Sequence, residues 1–246
     1  MNLLVCVTKT PETTSKISFT NENKTFNTEG VSYIMNPYDE WYALVRALEL
    51  KEQHGGSVTV INVGPAENDV VIRKALAIGA DDAVRIDTVP NSAKEVAHGI
   101  FNYAKDKAYD IVFCGKETID YNGAEVGGMI AALMDVPFLS FASKLEHDGT
   151  SATVERDIEG GVEVTTVNGP FVLSASKGLA EQRIPNMRGI MMAKRKPLEV
   201  VAAQDVAADV TTTGYSLPDA KSGVKMIDPE NMDELVRLLH EEAKVI

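Results

Sequence analysis

The stretch nearest to ligand chemistry is Gly115-Lys116-Glu117-Thr118-Ile119-Asp120-Tyr121-Asn122-Gly123-Ala124-Glu125-Val126-Gly127-Gly128. It follows an apolar run, Ile111–Cys114, and opens a helix-like one. Small residues at 123, 124, 127 and 128 let a ligand come close to the backbone. A helix N-terminus offers free N–H groups and a partial positive charge, which suit a phosphate. The same residues would serve a tight strand–helix connection, so both readings stand. The spacing matches no nucleotide fingerprint. GxGxxG is absent, and Gly115-Lys116 is followed by Glu117 where a P-loop has Ser or Thr. Lacking a magnesium-binding hydroxyl and a triphosphate cradle, the pattern favours a nucleotide that is held, not hydrolysed.

Two further segments carry signals. Asn36-Pro37-Tyr38-Asp39 reads as a helix start, with Asn36 as cap and Pro37 in the first turn. Arg183 through Lys196 is basic and methionine-rich in an acidic chain. Methionines suit adaptable apolar docking, and the charges around them would steer an acidic partner. A solvated charge run over a core-facing Ile/Met stripe would look the same. The histidines at 54, 98, 147 and 240 have no metal spacing, and no GxSxG or Cys–His pairing is present. No internal catalytic set emerges, and no metal site.

The elements that must position these segments alternate. Leu3–Val7, Val58–Val63, Ala83–Ile86 and Ile111–Cys114 read as buried strands. Between them lie helix faces: Trp41, Leu44, Val45, Leu48; then Val70 to Ile78; then Val96, Ile100, Tyr103; then Val126 to Met134. This predicts a doubly wound, mostly parallel α/β sheet, Rossmann-like, with ligands beyond the carboxyl ends of the strands. The loops after Val7, Val63 and Cys114 are the candidates. After Pro137, Thr153–Ile158 and Val162–Val167 flank Glu159-Gly160-Gly161 as an antiparallel hairpin, and Pro170–Ser174 reads as one more strand. Residues 1–176 thus form a nucleotide-binding α/β domain, with 137–176 its antiparallel extension. From Lys177 to about Gly223 no long periodic element appears, which suggests an extended C-terminal arm that packs on something else. A last helix with Met232, Leu235, Val236 and Leu239 on one face follows Asp228-Pro229 and completes 177–246.

Composition narrows the classes. The chain has 246 residues, 24 Lys+Arg against 36 Asp+Glu, and a net charge of −12. That opposes nucleic-acid binding and docking on an anionic membrane. The longest apolar stretch, Met129–Leu139, is interrupted by Asp135 and is short of a bilayer span. Cys6 and Cys114 both sit in apolar runs, consistent with buried thiols in a reducing compartment. The N-terminus has no basic n-region, so the expectation is a cytoplasmic protein without a signal peptide.

Together these segments resemble the electron transfer flavoprotein beta-subunit family over nearly the whole chain. The resemblance rests on Asn36-Pro37-Tyr38-Asp39, Ala75-Leu76-Ala77-Ile78-Gly79-Ala80-Asp81, and Cys114-Gly115-Lys116 with Ile119-Asp120. Val154-Glu155-Arg156 with Glu159-Gly160-Gly161, and Leu179–Arg183 leading into Gly189-Ile190-Met191 and Ala193-Lys194, complete it. It implies a non-catalytic subunit of a heterodimeric carrier. That carrier passes electrons from flavin dehydrogenases, such as the acyl-CoA dehydrogenases of fatty acid oxidation, to a membrane quinone oxidoreductase. The alpha subunit would hold the redox FAD and this chain a structural AMP.

By the same resemblance, Cys6, Asn36, Pro37, Tyr38, Asp39, Val63, Gly115, Asp120, Asn122, Gly123, Ala124, Glu125 and Val126 would line the nucleotide site. Ala124 to Val126 would offer N–H groups to the phosphate. Arg183 to Ile190 would form the partner-docking loop, with Met187 where the family commonly has Leu. Some relatives are electron-bifurcating, hold a second FAD in the beta site and oxidise NADH. Their Pro-Asp-Thr element is only partly matched by Pro11-Glu12-Thr13, and their Asp-Gly-Asp-Thr run is replaced by Asp120-Tyr121-Asn122-Gly123. A free-standing adenine-nucleotide-binding regulatory protein is the alternative from another class.

Overall fold

Alternation along the first strand, β1 (Asn2–Cys6), sets the two faces of the sheet. Leu3 and Val5 enter one core cluster, Leu4 and Cys6 the other. The computed structural model describes residues 1–220 and 223–246. After β1 come β2 (Lys9–Pro11), β3 (Phe19–Thr20), β4 (Thr25–Phe26), β5 (Tyr33–Met35), α1 (Asp39–His54), β6 (Ser57–Val63), α2 (Asp69–Ile78), β7 (Asp82–Asp87), α3 (Ala93–Ala104) and β8 (Ile111–Gly115). The chain continues with α4 (Val126–Met134), β9 (Phe138–His147), β10 (Ser151–Ile158), β11 (Gly161–Asn168), β12 (Phe171–Ala175), α5 (Met187–Ala193), β13 (Leu198–Ala202) and α6 (Met232–Arg237).

Residues 1–17 and 27–213 form the larger of two compact units, and 18–26 with 214–246 the smaller. In the larger unit nine strands run in the order β11-β10-β9-β12-β8-β1-β6-β7-β13. All neighbours pair in parallel except β9 with β10 and β10 with β11. Buried residues of α1 and α2 share one cluster, those of α3 and α4 the other, so helices cover both faces. This is the doubly wound α/β sheet expected from the alternation. The hairpin closes with Ile158 opposite Gly161, and Gly160 takes a φ of 82° that suits glycine.

The segment read as an arm without long periodicity contains two regular elements. α5 is short, and β13 adds an edge strand beside β7. The pairing of β13 rests on its backbone, and its side chains alternate too weakly between buried and exposed to leave a pattern. Strand β9 leaves no clear pattern either, for the same reason. Lys221 and Ser222, part of that arm, lie outside the described residues.

In the smaller unit β3 pairs with β4, Phe19 stacks on Tyr215 at 5.0 Å, and the Tyr215 N–H donates to the Asn23 carbonyl. The last helix begins at Met232, later than Asp228-Pro229, because the Asn231 side chain caps it by accepting from the Glu234 N–H. Met232 and Val236 are exposed, as are Leu217, Val224 and Met226.

Candidate functional site

Chain order singles out one crevice. From β1 the chain passes to β6 and β7 on one side, then returns to β8 on the other. The connections therefore diverge between β1 and β8, the switch point at which ligands bind in open α/β sheets. Cys6 and Cys114 end those two strands side by side, their sulfurs 3.7 Å apart. Both are free and buried. The contact with Cys114, then burial, push the Cys6 thiol well up. Cys6 thus turns its side chain into the core and can offer the crevice only its backbone. Val63, half-buried at the end of β6, packs against the α3–α4 cluster.

Asn36 does not cap α1, as its position before Pro37 suggested. The cap position belongs to Tyr38, without a side-chain cap and with φ 63° and ψ −94°, a costly conformation for a tyrosine. Asn36 is fully buried and turned the other way. Its Nδ2 donates to the Glu117 carbonyl at 3.0 Å, and its Oδ1 accepts from the Ile119 N–H at 3.1 Å. Its own N–H donates to the Thr8 carbonyl at 3.0 Å. One side chain thus joins the loop after β8 to the segment before α1. Pro37, Tyr38 and Asp39 line a cleft of about 370 Å³ with Tyr42, Lys116 and Lys177. Burial raises the Asp39 carboxyl against the pull of Lys116.

Glu40, which the sequence reading passed over, sits beneath Gly115. It is 3% exposed. Its carboxyl accepts from the Thr8 N–H at 2.6 Å and engages the Thr8 hydroxyl at 2.8 Å. A Cβ on Gly115 would lie 2.8 Å from Glu40 Cγ, so glycine is required there for close approach. An acid in a helix's first turn ordinarily complements the dipole from solvent, and nothing in the spacing distinguishes this buried one.

The loop from Asp120 to Glu125 is exposed along its length. Asp120 Oδ1 accepts from the Tyr121 N–H, and the Asn122 N–H donates to the Thr118 carbonyl. Asn122 and Ala124 hold φ of 50° and 53°, while Glu125 returns to −99°. Such reversals point successive N–H groups to one side and form anion-binding concavities. α4 then starts at Val126 with no side-chain cap. A Cβ on Gly123 would meet nothing nearer than 3.9 Å, so space remains over this cradle. Gly127 and Gly128 play a different part. Cβ atoms there would lie 2.9 and 3.6 Å from the Phe138 ring, so these two serve helix–strand packing, not ligand access. The donor set is backbone amide, and Lys116 is paired with Glu117 at 3.3 Å. That fits a phosphate held in place. Among the described residues no group of His, Cys, Asp or Glu is arranged for a metal ion, and no helix is long and apolar enough to cross a membrane.

The Arg183–Lys196 segment is pinned at its feet and bare at its tip. Arg183 pairs with Glu52 at 2.7 Å, and its carbonyl accepts from Trp41 Nε1 at 3.1 Å. Arg73 donates to the Ala193 and Lys196 carbonyls. The Lys196 ammonium donates to the Leu76 and Ala80 carbonyls at the end of α2. Asn186 caps α5 through the Gly189 N–H. Met187, Met191, Met192 and Ile190 are exposed at 74, 68, 47 and 43%, and Ala193 alone of the helix is buried. The Ile/Met stripe faces outward, which overturns the core-facing reading. Arg183, tied to Glu52, serves to anchor the segment.

A family description, the electron transfer flavoprotein domain, matches residues 23–206. The chain is 38% identical to the electron transfer flavoprotein subunit beta of Bacillus subtilis, over the full length of both. It is 37% identical to that of Thermoanaerobacterium thermosaccharolyticum, over 87% of this chain and 83% of the relative. It is 32% identical to that of Mus musculus, over 100% of this chain and 99% of the relative. The divergent strand ends, the clamped loop and these similarities over most or all of the chain converge: the chain belongs to the electron transfer flavoprotein beta-subunit family.

Proposed function

We propose that this chain is the beta subunit of a two-subunit electron carrier and holds AMP in the crevice between β1 and β8. The observation that carries the AMP reading is the amide cradle of Asn122 to Val126, which has no side-chain cap and open space above Gly123. Ala124, Glu125 and Val126 would hold the phosphate, and Asn36 keeps the loop in register through Glu117 and Ile119. A ligand bound only by the folded chain adds about 2.7 kcal/mol at a hundredfold excess over its dissociation constant. AMP is thus a structural group here.

The alpha subunit holds FAD, which supplies the electron-carrying chemistry of the complex. Tyr38, 53% exposed beside the cleft, suits contact with that flavin. The exposed apolar residues of the smaller unit, Met226, Met232 and Val236 among them, support docking on the alpha subunit. Met187 and Ile190 are the proposed contacts for flavin dehydrogenases, and the exposed Arg188 and Arg195 favour an acidic partner. The quinone oxidoreductase is the acceptor in this reading.

The test is to purify the complex, denature it and count what is released. One FAD and one AMP per pair of polypeptides supports the carrier. Two FAD and no AMP replaces it with the bifurcating, NADH-oxidising subunit. A lone chain with an adenine nucleotide replaces it with the regulatory protein.

A further inference from the structure

Glu40 has no role in binding or docking as described so far, yet it occupies the switch point itself. It lies between the two strand-end loops that diverge there. Thr8 is bonded to its carboxyl on one side, and Gly115 rests on its Cγ on the other. Among the described residues it forms no ion pair; Asp120 in the loop after β8 and Asp39 on its own helix raise it, while Lys116, the residue after Gly115, pulls on Asp39 and pairs with Glu117. Cys6, at the end of β1, is a further titratable neighbour. A charged carboxylate buried beside acids without an ion pair of its own is costly, and a neutral acid is not. A neutral acid keeps both contacts, one oxygen accepting the Thr8 N–H and the other sharing a hydrogen bond with the Thr8 hydroxyl, which can accept as well as donate. A negative charge at this point would lie against Gly115, where the loop that leads to the amide cradle begins.

We infer that Glu40 is a positioning residue that works as a neutral acid, stapling the loop after β1 to the first turn of α1, and that it makes nucleotide binding proton-linked. The inference rests on the reading of the crevice as a nucleotide site. Burial first, then the nearby acids, push the Glu40 carboxyl up to about 8, against the bonds from Thr8 that lower it. The linkage therefore falls above neutrality, well above the second ionisation of a phosphate monoester at about 6.

The experiment strips the purified two-subunit complex of nucleotide and rebinds AMP by calorimetry from about pH 7 to about pH 9.5. Buffers of different ionisation enthalpy are used so that proton uptake is read directly. Wild type is compared with Glu40→Gln, whose amide copies the donor and acceptor of the neutral acid. Wild-type affinity should fall at least roughly threefold across the range, by no more than about tenfold per pH unit, with protons taken up on binding near pH 8.5. Glu40→Gln should bind as wild type does at pH 7, lose little affinity at high pH and take up fewer protons. Equal proton uptake in both proteins overturns the inference while leaving AMP binding intact. So does a Glu40→Gln complex that assembles but binds no AMP at any pH. Failure of wild type to bind AMP at every pH overturns the nucleotide reading, and the inference with it.

Discussion

The crevice at the β1 and β8 ends and the α5 segment use polar bonds in opposite ways. In the crevice the polar groups are interior: Asn36 and Glu40 are buried and tie three pieces of chain together, leaving backbone N–H groups on the surface. In the α5 segment the polar groups are at the base: Trp41 and Arg73 hold its backbone, Glu52 pairs with Arg183 and Lys196 reaches the end of α2, while methionines stand in solvent. The first arrangement suits a small charged ligand, which needs donors of fixed position. The second suits a protein partner, which needs apolar surface that adapts without costly ordering of the backbone. The two regions should therefore fail separately.

Removing the interior polar bonds is the harshest way to probe the contrast. Asn36→Ala leaves the Glu117 carbonyl and Ile119 N–H without their partner, and should cost about 2–4 kcal/mol in chemical denaturation, with loss of bound nucleotide. α5 should keep its solvent exposure, read by labelling a cysteine placed at Arg188.

Glu40→Gln should change the pH dependence of stability more than its value. The acid's folded value lies at about 8 against an ordinary 4.5, so the folded chain holds a proton that the unfolded chain releases. Stability from this group is present in full below about 4.5, is lost as pH rises from there to about 8, and is level above. The difference between variant and wild type in urea midpoint should therefore grow in favour of Gln across that window. A difference flat with pH would mean that Glu40 is charged in the fold.

Gly189→Ala addresses the other region. Its Cβ would collide with the Ala77 carbonyl oxygen, so α5 must lift from α2, at about 1–3 kcal/mol. Electron transfer from a dehydrogenase should slow while nucleotide content holds. Gly123→Val has the smallest effect on the fold, within about 0.5 kcal/mol, since its Cβ would make only ordinary contact, at 3.9 Å, with the Glu125 side chain. It fills the space over the cradle, and AMP content measured after denaturation should drop.

Much of the framework was legible because burial on both faces writes continuous apolar runs. Leu3–Val7, Val58–Val63 and Ile111–Cys114 each overlap a central strand, and the loops that follow them include those at the switch point. β13 was not legible, since an edge strand is specified by backbone pairing with β7. The candidate crevice was legible in outline, and the bonding around it was not. Asn36 before Pro37 satisfies the rule for a cap, and only the turn at Tyr38 shows that its amide points to Glu117 and Ile119. Glu40 looks like any acid in a first turn until Thr8 and Gly115 are seen around it. The outward-facing Met187 and Met191 have the spacing of a buried stripe, and the periodicity carries no information about which way a stripe faces.

The most direct test of the separation is Met187→Ala in the purified complex, with the electron-transfer rate from a flavin dehydrogenase and the AMP content measured on one preparation. Met187 is 74% exposed, so stability should stay within about 0.5 kcal/mol of wild type. The predicted result is a full complement of AMP, an unchanged flavin spectrum and a slower transfer rate. An unchanged rate, or a rate that falls together with AMP content, would contradict it.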